Sequence, residues 1–439
     1  MKKYILFLQC LAILLVVACD TTRRSGTTVR PNLPGKPLPG KTTPMDTIRW
    51  TPSNCGKPPI GQSSGQPGGN KPAGETYHVS FLLPFLSNQV SGEGIPEKSR
   101  LALQFYAGAK IALEQLSAET SLQLMVNVWD TQANDSDFEK LMRNSRLEKS
   151  SVFIGPVRAS HVSMFADWTK QRKKILISPE SPTADLTQGN PGFIQINPSL
   201  RSHCETIVRY VRKRHKADAV TLICKKKEAD RLVYFQNANA AVGGNTRFNE
   251  ILIPDESKDF SSVDLKKYLR AGRTSIFILP SWASQDFIMA FMRRLKEVKG
   301  SNQVEVYGMP QWRNFDAIEP EYLSQLNVHI TAASWLDYGA SEIKEFQQKF
   351  YDATGSLPDE DAFNGYDVTM FVGRMLAMHG LSFPEQLSSE KANTLRGRFV
   401  FSKIFASGGL DQGTNQPDYW ENTFVHLLRF NQFQYEPVE

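Results

Sequence analysis

The chain has 439 residues, of which 41% are hydrophobic and 22% charged, and a formal net charge of +6. That length admits two ordinary domains. The charge is unevenly placed: residues 20–76 hold eight Lys or Arg against three acids, Lys2 and Lys3 add two positive charges, and residues 77–439 are left at −1. A body so close to neutral gives no ground for nucleic-acid binding, which needs a concentrated basic face.

At the N-terminus, Lys2 and Lys3 precede an apolar run from Tyr4 to Ala18, interrupted only by Gln9 and Cys10. About 15 residues suits the apolar part of a secretion signal and falls short of the ~20 that span a bilayer. The run ends in Val16-Val17-Ala18-Cys19. These residues resemble the bacterial lipobox, in which small side chains fit a tight peptidase groove and the thiol becomes a lipid thioether. The resemblance implies a signal peptide over 1–18 and lipidation of Cys19. It implies a protein tethered to a membrane on the periplasmic side of the envelope, the outer membrane in preference to the inner. An ordinary secretion signal, or a membrane helix that ends in cysteine, is the alternative.

Residues 19–76 read as a tether. The stretch from 20 to 76 holds ten prolines among many Gly, Ser and Thr. Such a composition buries too little surface to offset chain entropy. Only Met45–Trp50 breaks the pattern, with Ile48 and Trp50 available to dock.

From Tyr77 the pattern changes. Tyr77–Phe85 reads as a buried strand, followed by a helix near 99–116 with Leu101, Phe105, Ala109, Ala112 and Leu116 on one face. Strand Leu122–Trp129, helix 136–148, strand Ser151–Gly155, helix 159–172 and strand Lys174–Ser178 continue the alternation. A second series begins after Gly192–Pro198. It runs through helix 202–215, strand Ala219–Cys224, a helix near 228–241, a strand near 248–253 and a short helix near 262–270. Strand Ser275–Leu279, helix 284–298 and strands Val304–Gly308 and Val328–Ala333 complete it. Helices 340–353 and 361–379 follow, then a mixed tail from about 398 with a strand pair at 423–436. Strands alternating with helices indicate doubly wound parallel sheets.

Three local patterns carry a family resemblance. Ile154-Gly155-Pro156 and Ile177-Ser178-Pro179 end two strands, and Phe363-Asn364-Gly365-Tyr366-Asp367 opens a helix. In this order they are similar to the turns and helix start of type 1 periplasmic binding proteins, the family of leucine-type amino-acid binders. The resemblance covers roughly 77–439. It implies an α/β fold of two doubly wound parallel-sheet lobes joined by a multi-strand hinge. The boundaries it suggests are 77–196 plus 338–385 for the first lobe and 197–337 plus 386–439 for the second.

Ligands of open parallel sheets sit beyond the carboxyl ends of the strands, where helix N-termini offer free N–H groups. In the amino-acid binders, Ser and Thr at two of these turns hold the ligand's carboxylate and ammonium. Here Ala159 and Pro182 fall at those places, with Ser160, Ser181 and Thr183 adjacent and Glu180 adding a negative charge. An α-amino-acid ligand is therefore not expected. Strand-end logic adds Asp130, Arg158, Trp282, Trp312 and Trp335 as crevice candidates, the tryptophans able to stack on a sugar or peptide or else to plug the interface as core.

Cys204 and Cys224 are candidates for a disulfide. A helix runs antiparallel to the strand that follows it, so the start of helix 202–215 lies near the end of strand 219–224. Two buried free thiols are the alternative. His203, Cys204, His215 and Cys224 match no common zinc spacing. Gly92-Glu93-Gly94 lacks the third glycine of a dinucleotide loop, Asp359 and Asp361 suit helix capping, and no nucleophile elbow, Walker loop or HExxH occurs. The expectation is a non-catalytic protein without cofactor or metal. It binds a small solute, as a transporter or sensing component, or it acts as an envelope scaffold or regulator of cell-wall synthesis through protein contacts.

Overall fold

The computed structural model describes residues 47–49, 76–92, 94–405 and 416–438. The expected signal peptide, Cys19 and most of the tether lie outside the described residues.

In chain order the elements are β1 (Thr47–Arg49), β2 (Thr76–Leu83), α1 (Arg100–Glu119), β3 (Gln123–Asp130), α2 (Asp135–Met142), β4 (Val152–Ile154), α3 (Ala159–Gln171), β5 (Ile175–Ser178) and β6 (Phe193–Gln195). Next come α4 (Leu200–Arg214), β7 (Val220–Lys225), α5 (Leu232–Ala241), β8 (Asn249–Ile253), β9 (Ser275–Ile278), α6 (Gln285–Lys299), β10 (Val304–Gly308), α7 (Pro320–Gln325) and β11 (Val328–Ala332). The chain ends with α8 (Ser341–Thr354), α9 (Glu360–His379), β12 (Lys391–Thr394), β13 (Gly397–Ile404), β14 (Tyr419–Asn422), β15 (His426–Asn431) and β16 (Gln434–Pro437).

Two sheets result, each the centre of one lobe. The first has the order β1-β3-β2-β4-β5-β6-β14-β13-β12 and the second β16-β15-β11-β10-β9-β7-β8. Neighbours run parallel from β3 through β2, β4, β5 and β6, and again from β8 through β7, β9, β10 and β11. Central strands such as β4 and β5 are buried at every residue, as expected where helices cover both faces. In β7, Val220, Leu222 and Cys224 pack with α4 and α5, while Ile223 joins the core beneath α6 on the other face.

The helix-start pattern Phe363–Asp367 has a packing reason. α9 crosses α1 so closely that a Cβ on Gly365 would meet the Phe105 carbonyl oxygen at 1.9 Å, and one on Gly108 would meet that of Ala362 at the same distance. No side chain fits between these backbones.

Several expectations need correction. The segment 386–439 does not belong to one lobe: β12, β13 and β14 extend the first sheet, and only β15 and β16 join the second. β14 pairs in parallel with β6 through Trp420 and Ile194, an association over more than two hundred residues that local patterning does not encode. β6 itself falls inside the stretch read as a connector. β1, which contains Ile48, pairs antiparallel with β3 and covers that sheet edge. The helix expected over 136–148 ends at Met142.

The disulfide expectation is also corrected. Cys204 and Cys224 are free thiols, both buried in the same apolar cluster. α4 rests against β11 and β15. β7 lies beyond β10 and β9 in that sheet, at roughly 4.8 Å per strand. The two residues share a face of the sheet but not a neighbouring strand.

Candidate functional site: the crevice and its hinge

Three crossovers link the lobes: 196–199 after β6, 333–340 after β11 and 423–425 after β14. A cavity of about 170 Å³ sits where they meet, lined by Asn197 and Pro198 of the first, Ala333 and Ser334 of the second, and Asn422 at the third. The remaining wall comes from the first lobe, chiefly Glu180, Asp361, Asn364 and Arg396.

These side chains form one network. β5 ends at Ser178 and delivers Glu180, whose carboxylate accepts from Asn364 Nδ2 on α9. Asn364 Oδ1 accepts from Arg396 Nη2. Arg396 Nε donates to Asp367 Oδ2 at 3.3 Å, and the same carboxylate accepts the backbone N–H groups of Leu395 and Arg396 at 2.8 and 3.2 Å. The network then reaches the hinge. The Arg396 carbonyl accepts from Trp335 N–H at 3.0 Å and lies 2.9 Å from His426 Nε2. A carbonyl only accepts, so His426 Nε2 is the donor, and burial lowers the pKa of the ring. The first and third crossovers are pinned as well: the wholly buried Glu421 accepts from Ser199 N–H at 2.9 Å and from Ser202 Oγ at 2.6 Å.

The electrostatics are acidic. Burial pushes the Glu180 carboxyl up to about 7, against the attraction of Arg396. Burial, with repulsion from Asp359, lifts Asp361 to about 6. A cationic group entering this cavity would favour the ionised forms of both.

The candidates at the other strand ends are already engaged. Asp130 accepts from the N–H groups of Leu86, Ser87 and Gln132 at 3.1, 2.7 and 2.9 Å, which fixes the loop after β2. Beside the N-terminus of α3, Asp135 Oδ1 lies 3.0 Å from Ser160 Oγ, 3.1 Å from His161 Nε2 and 3.9 Å from Arg158 Nε. Arg158 Nη1 also donates to the Ala133 carbonyl. Ser181 is buried and turns its hydroxyl to Thr183 at 3.2 Å, closing its own turn.

In the second lobe, Trp312 is core. It is 2% exposed, donates Nε1 to the Ser281 carbonyl at 2.7 Å, and lies against Gly308, where a Cβ would clash with its ring. Trp282 is half-buried with the Arg231 guanidinium 3.4 Å from its ring centroid. Arg231 in turn pairs with the buried Glu228 at 2.6 Å and donates to the Pro280 carbonyl at 3.0 Å. Trp335 packs on the second lobe's core and borders a separate cavity of about 680 Å³ between α9 and β12.

Sequence reasoning thus named residues at the strand ends and missed the group at their centre. Glu180 was noted only as an unwanted charge. Asn364, Asp367 and Arg396 come from distant segments, and only the first two lie in a recognisable motif.

The architecture has counterparts of known structure. The model of the periplasmic binding protein family matches residues 100–409. The chain belongs to that family. Among solved structures, one assigned to branched-chain amino acid ABC transport in Rhodospirillum rubrum superposes with a TM-score of 0.60 at 13% identity, covering 83% of this chain and 100% of that one. A branched-chain amino acid transporter of Rhodopseudomonas palustris gives 0.56 at 15%, covering 82% and 95%. A substrate-binding protein from Desulfitobacterium hafniense gives 0.55 at 15%, covering 83% and 100%. No curated protein matches by sequence. The two-lobed type 1 fold and the family's periplasmic setting follow, and no helix among the described residues is long and apolar enough to cross a membrane.

Proposed function

We propose that the protein is a lipid-anchored, non-catalytic periplasmic binding protein whose hinged crevice closes on a small solute. The observation that supports this most is the convergence of three crossovers on one cavity lined by Glu180, Asn364 and Arg396. A solute seated there that also reaches the second lobe favours the closed arrangement by its differential affinity. The acidic lining favours a ligand that presents a cation to it. Asp135 places a carboxylate 3.0 Å from Ser160 Oγ beside the α3 N-terminus, which speaks against an α-amino acid bound in the manner of the leucine-type proteins.

A second reading is an envelope scaffold or regulator of cell-wall synthesis that acts through protein contacts. Its support is the state of the tryptophans: Trp312 is core and Arg231 lies over one face of the Trp282 ring.

Mass spectrometry of the protein purified from its native envelope separates these readings. A small molecule released on denaturation favours solute binding, and a stoichiometric protein partner without one favours the scaffold. The anchor is tested separately. Palmitate labelling should disappear in Cys19→Ala, and labelling that persists would remove the lipid from this reading. Gradient separation of the two membranes then tests outer-membrane placement.

A further inference from the structure

The first lobe carries a second large hollow, about 750 Å³, at the sheet edge opposite the crevice. It opens beside Lys174 and Gly192, which immediately precede β5 and β6. Because β2, β4, β5 and β6 run parallel, this is the edge at which the chain enters the lobe at Thr76, whereas Glu180 follows the other end of β5.

Four lysines line this hollow: Lys170, Lys173, Lys174 and Lys403. Among its described lining residues the single acid is Glu385. Two of the amines are positioned by neutral partners. Lys170 Nζ donates to the Gln188 carbonyl at 2.6 Å and Lys174 Nζ to the Glu148 carbonyl at 3.0 Å. Carbonyls orient an ammonium without cancelling its charge. Lys403 Nζ stands 6.0 Å from the ring centroid of Trp420, which forms part of the wall. The arrangement is unusual for a chain whose residues 77–439 are near neutral.

We propose that this hollow is a binding site for a phosphate-bearing organic anion. An ammonium acts as a point charge with three donors, well suited to the several oxygens of a phosphoryl group. A phosphoryl group presents enough oxygens to accept from Lys170, Lys173 and Lys174 together, which one carboxylate does not. The volume exceeds that of bare phosphate and falls within the usual range for small-molecule sites, leaving room for an organic portion beside Trp420. The site is independent of the crevice and does not rest on the reading given for it.

Calorimetry on the full chain in neutral detergent tests this. The probes are sn-glycerol 3-phosphate, a monoester, and glycerophosphoglycerol, a diester with the headgroup chemistry of an anionic lipid. Saturable binding of at least one is expected, weakening as salt screens the lysines. The double substitution Lys170→Gln/Lys173→Gln should weaken it at least tenfold. Glu385→Gln should strengthen it about two- to threefold, an effect that loss of folding cannot produce. Tighter binding of the monoester identifies a soluble phosphorylated solute, and tighter binding of the diester identifies a lipid headgroup. Absence of binding by both probes overturns the proposal. So does sulfate binding as tightly, or affinity unchanged in the double variant.

Discussion

Arg396 and Asp367 join the two halves of the hinge: the guanidinium meets the buried carboxylate at 3.3 Å, while the Arg396 carbonyl holds the second crossover at Trp335. Asp367 is 2% exposed, so the pair is largely shielded from water. A buried charge pair contributes little net stability by itself, but removing one partner strands the other.

Arg396→Met should therefore destabilise the protein by about 3–5 kcal/mol in urea unfolding at neutral pH. The double variant Arg396→Met/Asp367→Leu should recover much of that loss, because neither charge is then buried alone. A single variant as stable as the wild type would show that Asp367 is satisfied by the Leu395 and Arg396 N–H groups without the guanidinium.

Glu180 gives the hinge a pH response of definite sign. Its folded value of about 7 lies above the ordinary carboxyl value of 4.5, so the native state holds a proton that the unfolded chain has released between these limits. Its stability contribution is full below about 4.5 and falls as pH rises towards 7. Asp361, at about 6, acts in the same direction. His203 opposes them: burial lowers it to about 4, so its contribution rises with pH between about 4 and 6.5. Subtracting the profile of Glu180→Gln isolates the contribution of Glu180. Wild type minus variant should fall by roughly 2–3 kcal/mol between pH 4.5 and 7.5, allowing for partial exposure of the group. Parallel profiles would mean that Glu180 titrates normally.

How far the sequence reaches can be judged from particular elements. The alternation that marks β4, α3 and β5 is local, and it carries the parallel sheets. The place of β14 beside β6, and of Arg396 beside Asp367, depends on contacts between segments far apart in sequence. The disulfide inference failed for a related reason: chain order sets the direction of α4 relative to β7, while the strand it covers is chosen by the whole sheet. Strand-end reasoning did locate Arg158 and Ser160 at a helix N-terminus. It could not show that Asp135 of the preceding helix accepts from Ser160 Oγ there.

The crossing of α1 and α9 predicts a sharp contrast among glycines. Gly365→Ala and Gly108→Ala each drive a methyl group into a facing carbonyl oxygen at 1.9 Å. The helices must separate, at about 1–3 kcal/mol or more. Gly92→Ala meets nothing within 4 Å and should change the thermal midpoint little. Equal melting behaviour in all three would show that the helices yield freely at the crossing.

The Asp135 position can be tested through the ring beside it. His161 is stacked on Phe138 with centroids 4.2 Å apart, and burial is the largest influence on it, lowering its pKa. Asp135, 3.1 Å away, opposes that shift by favouring the imidazolium, while Arg158 adds to it. Asp135→Asn keeps an acceptor for Ser160 Oγ but removes the charge, so the His161 midpoint should move further down in an NMR titration. Arg158→Gln should move it up. An unchanged midpoint in the first variant would mean that Asp135 faces solvent and leaves the α3 N-terminus open. That outcome would also reopen the question of ligand. With the Asp135 carboxylate beside this turn, the α-carboxylate of leucine meets a like charge, and calorimetry with the wild-type chain should register no binding of it.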